Sequence, residues 1–240
     1  MRLEEQISNW IKEEIREAGA EGVVVGLSGG VDSSVVACLA KMAMKDKVLG
    51  LIMPCHSESL DEHYAGLIAK KLSIRTERIV LDPVYDRLLQ ILPSARKPAL
   101  ANLKPRLRMT TLYYFANNLN YLVAGTGNKS EILIGYFTKY GDGGCDILPL
   151  GDLLKTQVRE LAVSLGVPEE IIKRTPSAGL WKEQTDEEEI GLSYSDLDRI
   201  ILAIESGKTD TLPPRTVARV KELKKRSEHK RSPVPVFKLD

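Results

Sequence analysis

The chain has 240 residues, 43% of them hydrophobic and 28% charged, a globular composition that argues against wholesale disorder and, at roughly 150 residues per domain, favours one domain or one with an appendage. Its 34 Lys and Arg against 33 Asp and Glu leave a net charge of +1, so no global field draws it to nucleic acid or an anionic membrane and a charged ligand must be held by local groups. No apolar run approaches the roughly 20 residues that cross a bilayer, Glu4 and Glu5 stand where a signal peptide is apolar, and the scattered Cys38, Cys55 and Cys145 fit a reducing cytoplasmic setting better than disulfides or a Cys-rich zinc site.

Leu3, Ile7, Trp10, Ile11 and Ile15 recur at helical spacing, which predicts an amphipathic first helix ending near Gly19. Residues 22–27, GVVVGL, are short, β-branched and uncharged, the pattern of a strand buried on both faces of a parallel sheet. Asp32, Ser33 and Ser34 are candidate caps for the helix that follows. A second buried strand is expected at 48–53, a helix at 58–72, a third strand at 77–81, helical stretches at 84–92 and 104–118, and a fourth strand at 121–124. This alternation predicts an α/β fold: a Rossmann-like open parallel sheet with helices on both faces, ligands at the carboxyl ends of the strands, and a helical C-terminal extension, all within a single domain over residues 1–240.

The segment Gly26-Leu27-Ser28-Gly29-Gly30-Val31-Asp32-Ser33-Ser34 leaves the first strand and enters a helix. Gly29 and Gly30 let the backbone approach a ligand without a Cβ. The amides of such a turn, with the helix N-terminus, make an anion site to which Ser28, Ser33 and Ser34 add hydroxyls. The spacing is neither a Walker A loop, since Asp stands where the Lys would, nor G-x-G-x-x-G. Asp32 beside phosphate is repulsive unless a cation lies between, and Mg²⁺ takes one or two protein carboxylates in such a place. The plain alternative is a structural glycine turn with an Asp cap. The segment resembles the pyrophosphate-binding loop of the N-type ATP pyrophosphatases, in which SGGxDS holds the β,γ-pyrophosphate of ATP while an oxygen of the substrate is adenylated.

After the fourth strand, Gly125-Thr126-Gly127-Asn128-Lys129-Ser130-Glu131 makes a second glycine-rich turn, beside the first loop if the sheet is parallel. Thr126 suits a nucleotide and Glu131 a second Mg²⁺ contact. Lys139 and Asp146 flank the GDGG turn of GYFTKYGDGGCDILPL and suit polar recognition, the alternative being an exposed turn with an ordinary charge pair; Cys145 reads as a small filler. Together with Asn102-Leu103-Lys104-Pro105-Arg106-Leu107-Arg108-Met109, Lys155, PSAGL at 176–180, TDEEE at 185–189 and EHKR at 228–231, these stretches resemble the signature of the ammonia-dependent NAD synthetases over essentially the whole chain.

That resemblance implies an adenine nucleotide alpha hydrolase-like fold and a ligase that amidates deamido-NAD with ammonia in the final step of NAD biosynthesis. ATP would adenylate the carboxylate, and AMP and pyrophosphate would be released. It implies that Gly26, Leu27, Ser28, Gly29, Gly30, Val31, Asp32, Ser33, Thr126, Lys155 and Ser177 bind ATP, with Asp32 and Lys155 catalytic. It implies Mg²⁺ on Asp32 and Glu131, deamido-NAD on Arg106, Lys139, Asp146, His229 and Lys230, and a homodimer. Many bacterial members read GTDHAAE where this chain reads GTGNKSE, so Asn128 and Lys129 receive no role from it.

Adenylation asks for in-line positioning and neutralisation of the departing pyrophosphate, which points to Lys155 and Mg²⁺. Amidation asks for NH₃ and exclusion of water, for which residues 93–103 and 175–185 are candidate lids, and Asp146 or a neighbouring acid is the candidate to take a proton from ammonium. The length leaves no room for an attached glutaminase domain, so free ammonia or a separate glutaminase is expected. His56 and His63 have no expected role, and residues 221–226 read as a solvated helix face. Tyr113, Tyr114 and Phe115 call for cover by a helix of the same chain or by a second subunit. Two rivals differ in what they need. A tRNA-thiolating enzyme would show catalytic cysteines and a basic surface, and a nucleotide sensor without turnover has no use for the paired carboxylates Asp32 and Glu131.

Overall fold

The computed structural model describes residues 1–181 and 183–239; Lys182, inside the 175–185 segment, and Asp240, which closes the chain, lie outside the described residues. The first part alternates helix and strand: α1 (Leu3–Glu17), β1 (Gly22–Gly26), α2 (Val31–Met44), β2 (Val48–Ile52), α3 (Ser59–Leu72), β3 (Arg75–Arg78), α4 (Asp82–Ile91), α5 (Lys97–Ala101), α6 (Leu103–Leu119) and β4 (Tyr121–Ala124). The four strands form one parallel sheet in the order β3-β2-β1-β4.

The valines of β1 explain why the sheet is covered twice. Val23 and Val25 face a core with Ile11 of α1 and Val35 and Leu39 of α2, while Val24 faces the opposite core with Leu49, Leu51, Val123 and Ala116 of α6. A strand whose two faces are both apolar is stable only between two helical layers. Each valine that leaves water contributes about 1.5–3 kcal/mol.

The third strand lies two residues earlier than expected. Arg75–Arg78 is the sheet edge, paired only with β2 and largely exposed, so no apolar alternation marks it. Ile79 and Leu81, the residues that suggested a strand at 77–81, continue the ladder with single bonds to Ile52 and Pro54. The capping expectation also fails. The N-cap of α2 is Gly30, and the Ser33 and Ser34 hydroxyls donate back to its carbonyl at 3.0 and 2.9 Å. Asp32 is therefore free of any capping duty.

From β1 the chain steps to β2 and β3 on one side and returns to β4 on the other. The carboxyl ends of β1 and β4 thus flank a topological switch point, where open α/β sheets bind ligands. Beyond β4 come α7 (Lys129–Ile134), α8 (Lys155–Ser164) and α9 (Glu169–Ile172), then α10 (Asp186–Ile190), α11 (Tyr194–Glu205), α12 (Pro214–Arg226) and α13 (Glu228–Arg231). The last four are the expected helical extension. They have a core of their own, in which Leu197, Ile201, Val217 and Val220 pack on Ile134 and Leu154. Buried Asp198 of α11 ties this extension to the sheet: it accepts from the Ser130 hydroxyl of α7 and from the Thr156 amide of α8, the latter at 2.9 Å. The extension therefore fixes the two helices that carry Glu131 and Lys155.

On α6, Tyr113 and Phe115 pack against the sheet and Tyr114 is exposed; residues 221–226 present their charges to solvent, as expected. Among the described residues no helix is long and apolar enough to cross a membrane.

Candidate active site

Gly29 sets the shape of the turn after β1. It holds φ +78°, and a Cβ there would stand 2.4 Å from the Asp61 carbonyl oxygen. Two serines brace the loop: the Ser28 and Ser33 hydroxyls lie 3.1 Å apart, and each takes one loop amide at 3.3 Å. Among the described residues the amides of Gly29, Val31, Asp32 and Ser33 have no protein acceptor, so the turn keeps four donors for a ligand at the start of a 14-residue helix. Gly29→Ala should cost more than about 2 kcal/mol, because it adds left-handed strain to a clash with immobile backbone. It should also weaken ATP binding. Urea unfolding with nucleotide titration checks this, and an unchanged stability would mean the turn tolerates a side chain.

The turn opens on a cavity of about 470 Å³ lined by Ser28, Asp32, Thr126, Glu131, Lys155 and Asp186 among others. At its floor three segments distant in sequence meet. The Lys155 ammonium, 2% exposed, donates to Asp32 Oδ2 at 2.5 Å and to Glu131 Oε1 at 3.0 Å. It also lies 4.9 Å from the centre of the Tyr194 ring. Burial works against its charge, yet Asp32 and Glu131 hold its pKa above the ordinary lysine value. Burial pushes the Glu131 carboxyl up to about 7; Lys155 pulls it back down and Asp32 drives it further up. The Tyr194 hydroxyl bridges Glu131 Oε1 (3.2 Å) and Asp186 Oδ2 (3.0 Å), and the Tyr136 hydroxyl bridges Asp186 Oδ1 (3.1 Å) and Glu189 (2.6 Å). Burial raises the Asp186 carboxyl as well, against the pull of Lys155 and of the two tyrosines.

A family model for NAD synthase matches residues 3–234. The chain belongs to that family. It is 53% identical over 232 residues to the NH(3)-dependent NAD(+) synthetase of Carboxydothermus hydrogenoformans, covering 95% of this chain and 93% of that one. Among solved structures it resembles NMN synthetase from Francisella tularensis, with TM-score 0.92 and 36% identity over 99% of this chain and 98% of that one. It also resembles the NH3-dependent NAD synthetase of Campylobacter jejuni, with TM-score 0.86 and 30% identity over 99% and 100%.

The residues that the NAD synthetase resemblance assigned to ATP come together here. Gly26, Leu27, Ser28, Gly30, Val31, Asp32 and Ser33 line the cavity, as do Thr126, Lys155 and Ser177, while Gly29 turns its α-carbon to Asp61. Of the residues assigned to deamido-NAD, only Lys230 lines it, its ammonium donating to the Gly135 and Phe137 carbonyls at 2.7 Å each. Arg106, Lys139 and His229 form a chain on the rim: Arg106 donates to the Lys139 carbonyl at 3.3 Å, and the Lys139 ammonium donates to the His229 carbonyl at 2.6 Å. Asp146 stands apart. Its oxygens accept from the Tyr113 hydroxyl at 2.9 Å and the Val123 amide at 2.7 Å, which ties it to the edge of β4 and away from the cavity.

The donor set fits a divalent cation. Three carboxylates, Asp32, Glu131 and Asp186, surround one lysine, so the floor carries uncompensated negative charge beside a cradle of amides built for an anion. A polyphosphate enters such a place only with a cation between. Among the described residues no group of three or more His, Cys, Asp or Glu surrounds a single metal position; Asp32 and Glu131, which share Lys155, are two carboxylates that could hold Mg²⁺, a number usual for that ion on nucleotides.

Four cavity-side groups had no role from the sequence. Asp186 and Tyr194 sit at the starts of α10 and α11, and the resemblance marked the 185–189 run without giving any of its acids a role. Arg108, from the second Arg of the 102–109 motif, donates to the Met53 carbonyl and to Ser57 at 3.1 Å each, and burial lowers its pKa. Asn128, fully buried, lies between Asp32 and Glu131.

Proposed function

We propose that the chain amidates deamido-NAD with ammonia at the expense of ATP, giving NAD, AMP and pyrophosphate. The observation that carries this reading is the junction of four unpartnered amides with the buried Asp32–Lys155–Glu131 trio at the switch point, in a member of the NAD synthase family. A carboxylate is a poor acyl donor because its leaving group is oxide, and adenylation replaces oxide with AMP. The nicotinate carboxylate attacks the α-phosphorus of ATP, and pyrophosphate departs into the amides of residues 29–33. Lys155 neutralises the charge that develops on it, an effect worth the most in a buried site. Asp32 and Glu131 would hold Mg²⁺, which would supply further charge neutralisation to the phosphates. Ammonia then attacks the carbonyl of the mixed anhydride, which yields the amide and AMP. Of the acids that line the cavity outside the cation pair, Asp186 and Glu189 are the proposed candidates to take the proton shed by ammonium.

The basic rim of Arg106, Lys139, His229 and Lys230 is the proposed side for deamido-NAD, and Ser177, with the 175–185 segment around it, the proposed cover over ATP. A homodimer and a cytoplasmic setting complete the reading.

Purified protein with ATP, Mg²⁺, deamido-NAD and ammonium should form NAD and pyrophosphate in equal amounts, and none when the metal is chelated. Pyrophosphate released without regard to deamido-NAD would give the cradle to a different acceptor. ATP binding without turnover would make the chain a sensor. A second reading, amidation of the corresponding mononucleotide, is favoured by the likeness to NMN synthetase. The same assay with that mononucleotide decides it by kcat/KM.

A further inference from the structure

Asn128 caps α7 and is 0% exposed. Its Oδ1 accepts from the Glu131 amide at 3.1 Å. That bond fixes the orientation of the side-chain amide, so Nδ2 is the atom that faces α2, where it donates to Asp32 Oδ1 at 2.9 Å. Its backbone N–H points to Glu131 Oε2 at 3.4 Å. One residue thus engages the outer oxygen of each carboxylate. The two inner oxygens, Asp32 Oδ2 and Glu131 Oε1, are left to converge on one point, which the Lys155 ammonium marks.

We infer that Asn128 is a positioning residue for the cation and triphosphate: by binding Asp32 Oδ1 and Glu131 Oε2 it turns one oxygen of each carboxylate toward a shared cation. A carboxylate free to rotate about its last torsion would present either oxygen, or both, and two carboxylates on separate helices would converge only part of the time. The side-chain amide supplies both the donor for Asp32 and the acceptor that caps α7, while the hold on Glu131 Oε2 comes from the Asn128 backbone N–H. Lys155 holds the two inner oxygens and Asn128 the two outer ones, so each carboxylate is oriented from both sides. The inference rests on the Mg²⁺–ATP reading above.

Asn128→Ser tests it. Serine keeps a neutral cap for the Glu131 amide but is too short to reach Asp32. Asn128→His restores one donor and one acceptor on a plane. The measurement is calorimetric titration of a non-hydrolysable ATP analogue, once with Mg²⁺ and once with EDTA, beside thermal unfolding of each variant. For Asn128→Ser, binding should weaken tenfold or more in Mg²⁺ and less than twofold in EDTA, and Asn128→His should regain at least part of the Mg²⁺ arm. Equal weakening in both arms, in step with a lowered unfolding temperature, would reduce Asn128 to a structural cap, and an unchanged Mg²⁺ arm would remove it altogether. If Asn128→Ser does not fold, Asn128→His decides: a preserved Mg²⁺ enhancement supports the inference, and its loss overturns it. Wild-type protein that binds the analogue equally with and without metal would sink the Mg²⁺–ATP reading itself, an outcome distinct from failure of the variant.

Discussion

Lys155→Ala is expected to lower the stability of the nucleotide-free protein by about 3–5 kcal/mol and to bring turnover to background, because it leaves buried carboxylates without a counter-charge. Asp32 and Glu131 lie against the ammonium and Asp186 is one hydroxyl away, and among the described residues Lys155 is the cation bonded to the pair. The stem of Lys155 is buried too, and part of the loss is packing. Lys155→Met keeps that volume, so the difference between the two variants isolates the packing share. The effect depends on pH with a definite sign. In the wild type Glu131 titrates at about 7, above the ordinary carboxylate value, with Lys155 pulling it down. Without Lys155 it rises further. A native state that holds a proton the unfolded chain has lost grows less stable as pH rises. Lys155 in the wild type keeps its full contribution in this range, since its pKa is raised above the ordinary lysine value. The stability gap between wild type and variant should therefore be small near pH 5 and widen toward pH 8. Urea unfolding at both pH values measures it, and a gap independent of pH would mean that the carboxylates are not what Lys155 balances. Mg²⁺ should recover part of the stability in the variant, since a ligand for the native state alone shifts the equilibrium by mass action.

The parts of this site that were legible in the sequence are the local ones. A β-branched run, a Gly-Gly turn and a helix start all lie between residues 22 and 34, and each follows from backbone sterics within a few residues. The position of the cavity followed from strand alternation, because parallel connections put the turns after β1 and β4 at one edge. Lys155, by contrast, carries no local mark: it opens α8 after an apolar stretch and meets Asp32 across 123 residues. Only the resemblance assigned it. Asp186 received no role of its own, since nothing within a run of four successive acids marks which is buried, and in the structure only the first is, with Ile190 beneath it. The edge strand β3 was displaced in the reading because an edge has no second apolar face to leave a pattern.

Asp146 belongs to the edge of the sheet as well as to the GDGG turn. Its setting in the GDGG turn suggests an acid offered to a ligand; Asp146 is exposed, and a parallel bridge between Ala124 and Ile147 carries the chain back along β4. That geometry turns the Asp146 carboxylate to the Val123 amide, which would otherwise be an open edge donor. Burial with Tyr113 raises the tyrosine pKa for the same reason, a hydroxyl desolvated beside a carboxylate that accepts its proton.

Asp32→Asn should abolish turnover, by at least about a thousandfold, while the fold survives. The substitution is isosteric. Its carbonyl oxygen still accepts from Asn128, but its amide then points at the Lys155 ammonium, two donors face to face. Lys155 keeps Glu131, and removing one of three crowded carboxylates relieves repulsion in the floor. These opposed effects should leave the stability of the nucleotide-free protein within about 2 kcal/mol of wild type. The distinguishing consequence concerns the nucleotide. With one negative charge fewer and Lys155 less neutralised, ATP in EDTA should bind as well as to wild type or better, while the gain from adding Mg²⁺ should shrink or vanish. Titration in both conditions reads this crossover directly, and single-turnover pyrophosphate release reads the chemistry. Activity retained in Asp32→Asn, or an undiminished Mg²⁺ gain, would take Asp32 out of the cation site. Glu131 alone would then have to bring a cation to the cradle, from a carboxyl that burial already drives toward its protonated form.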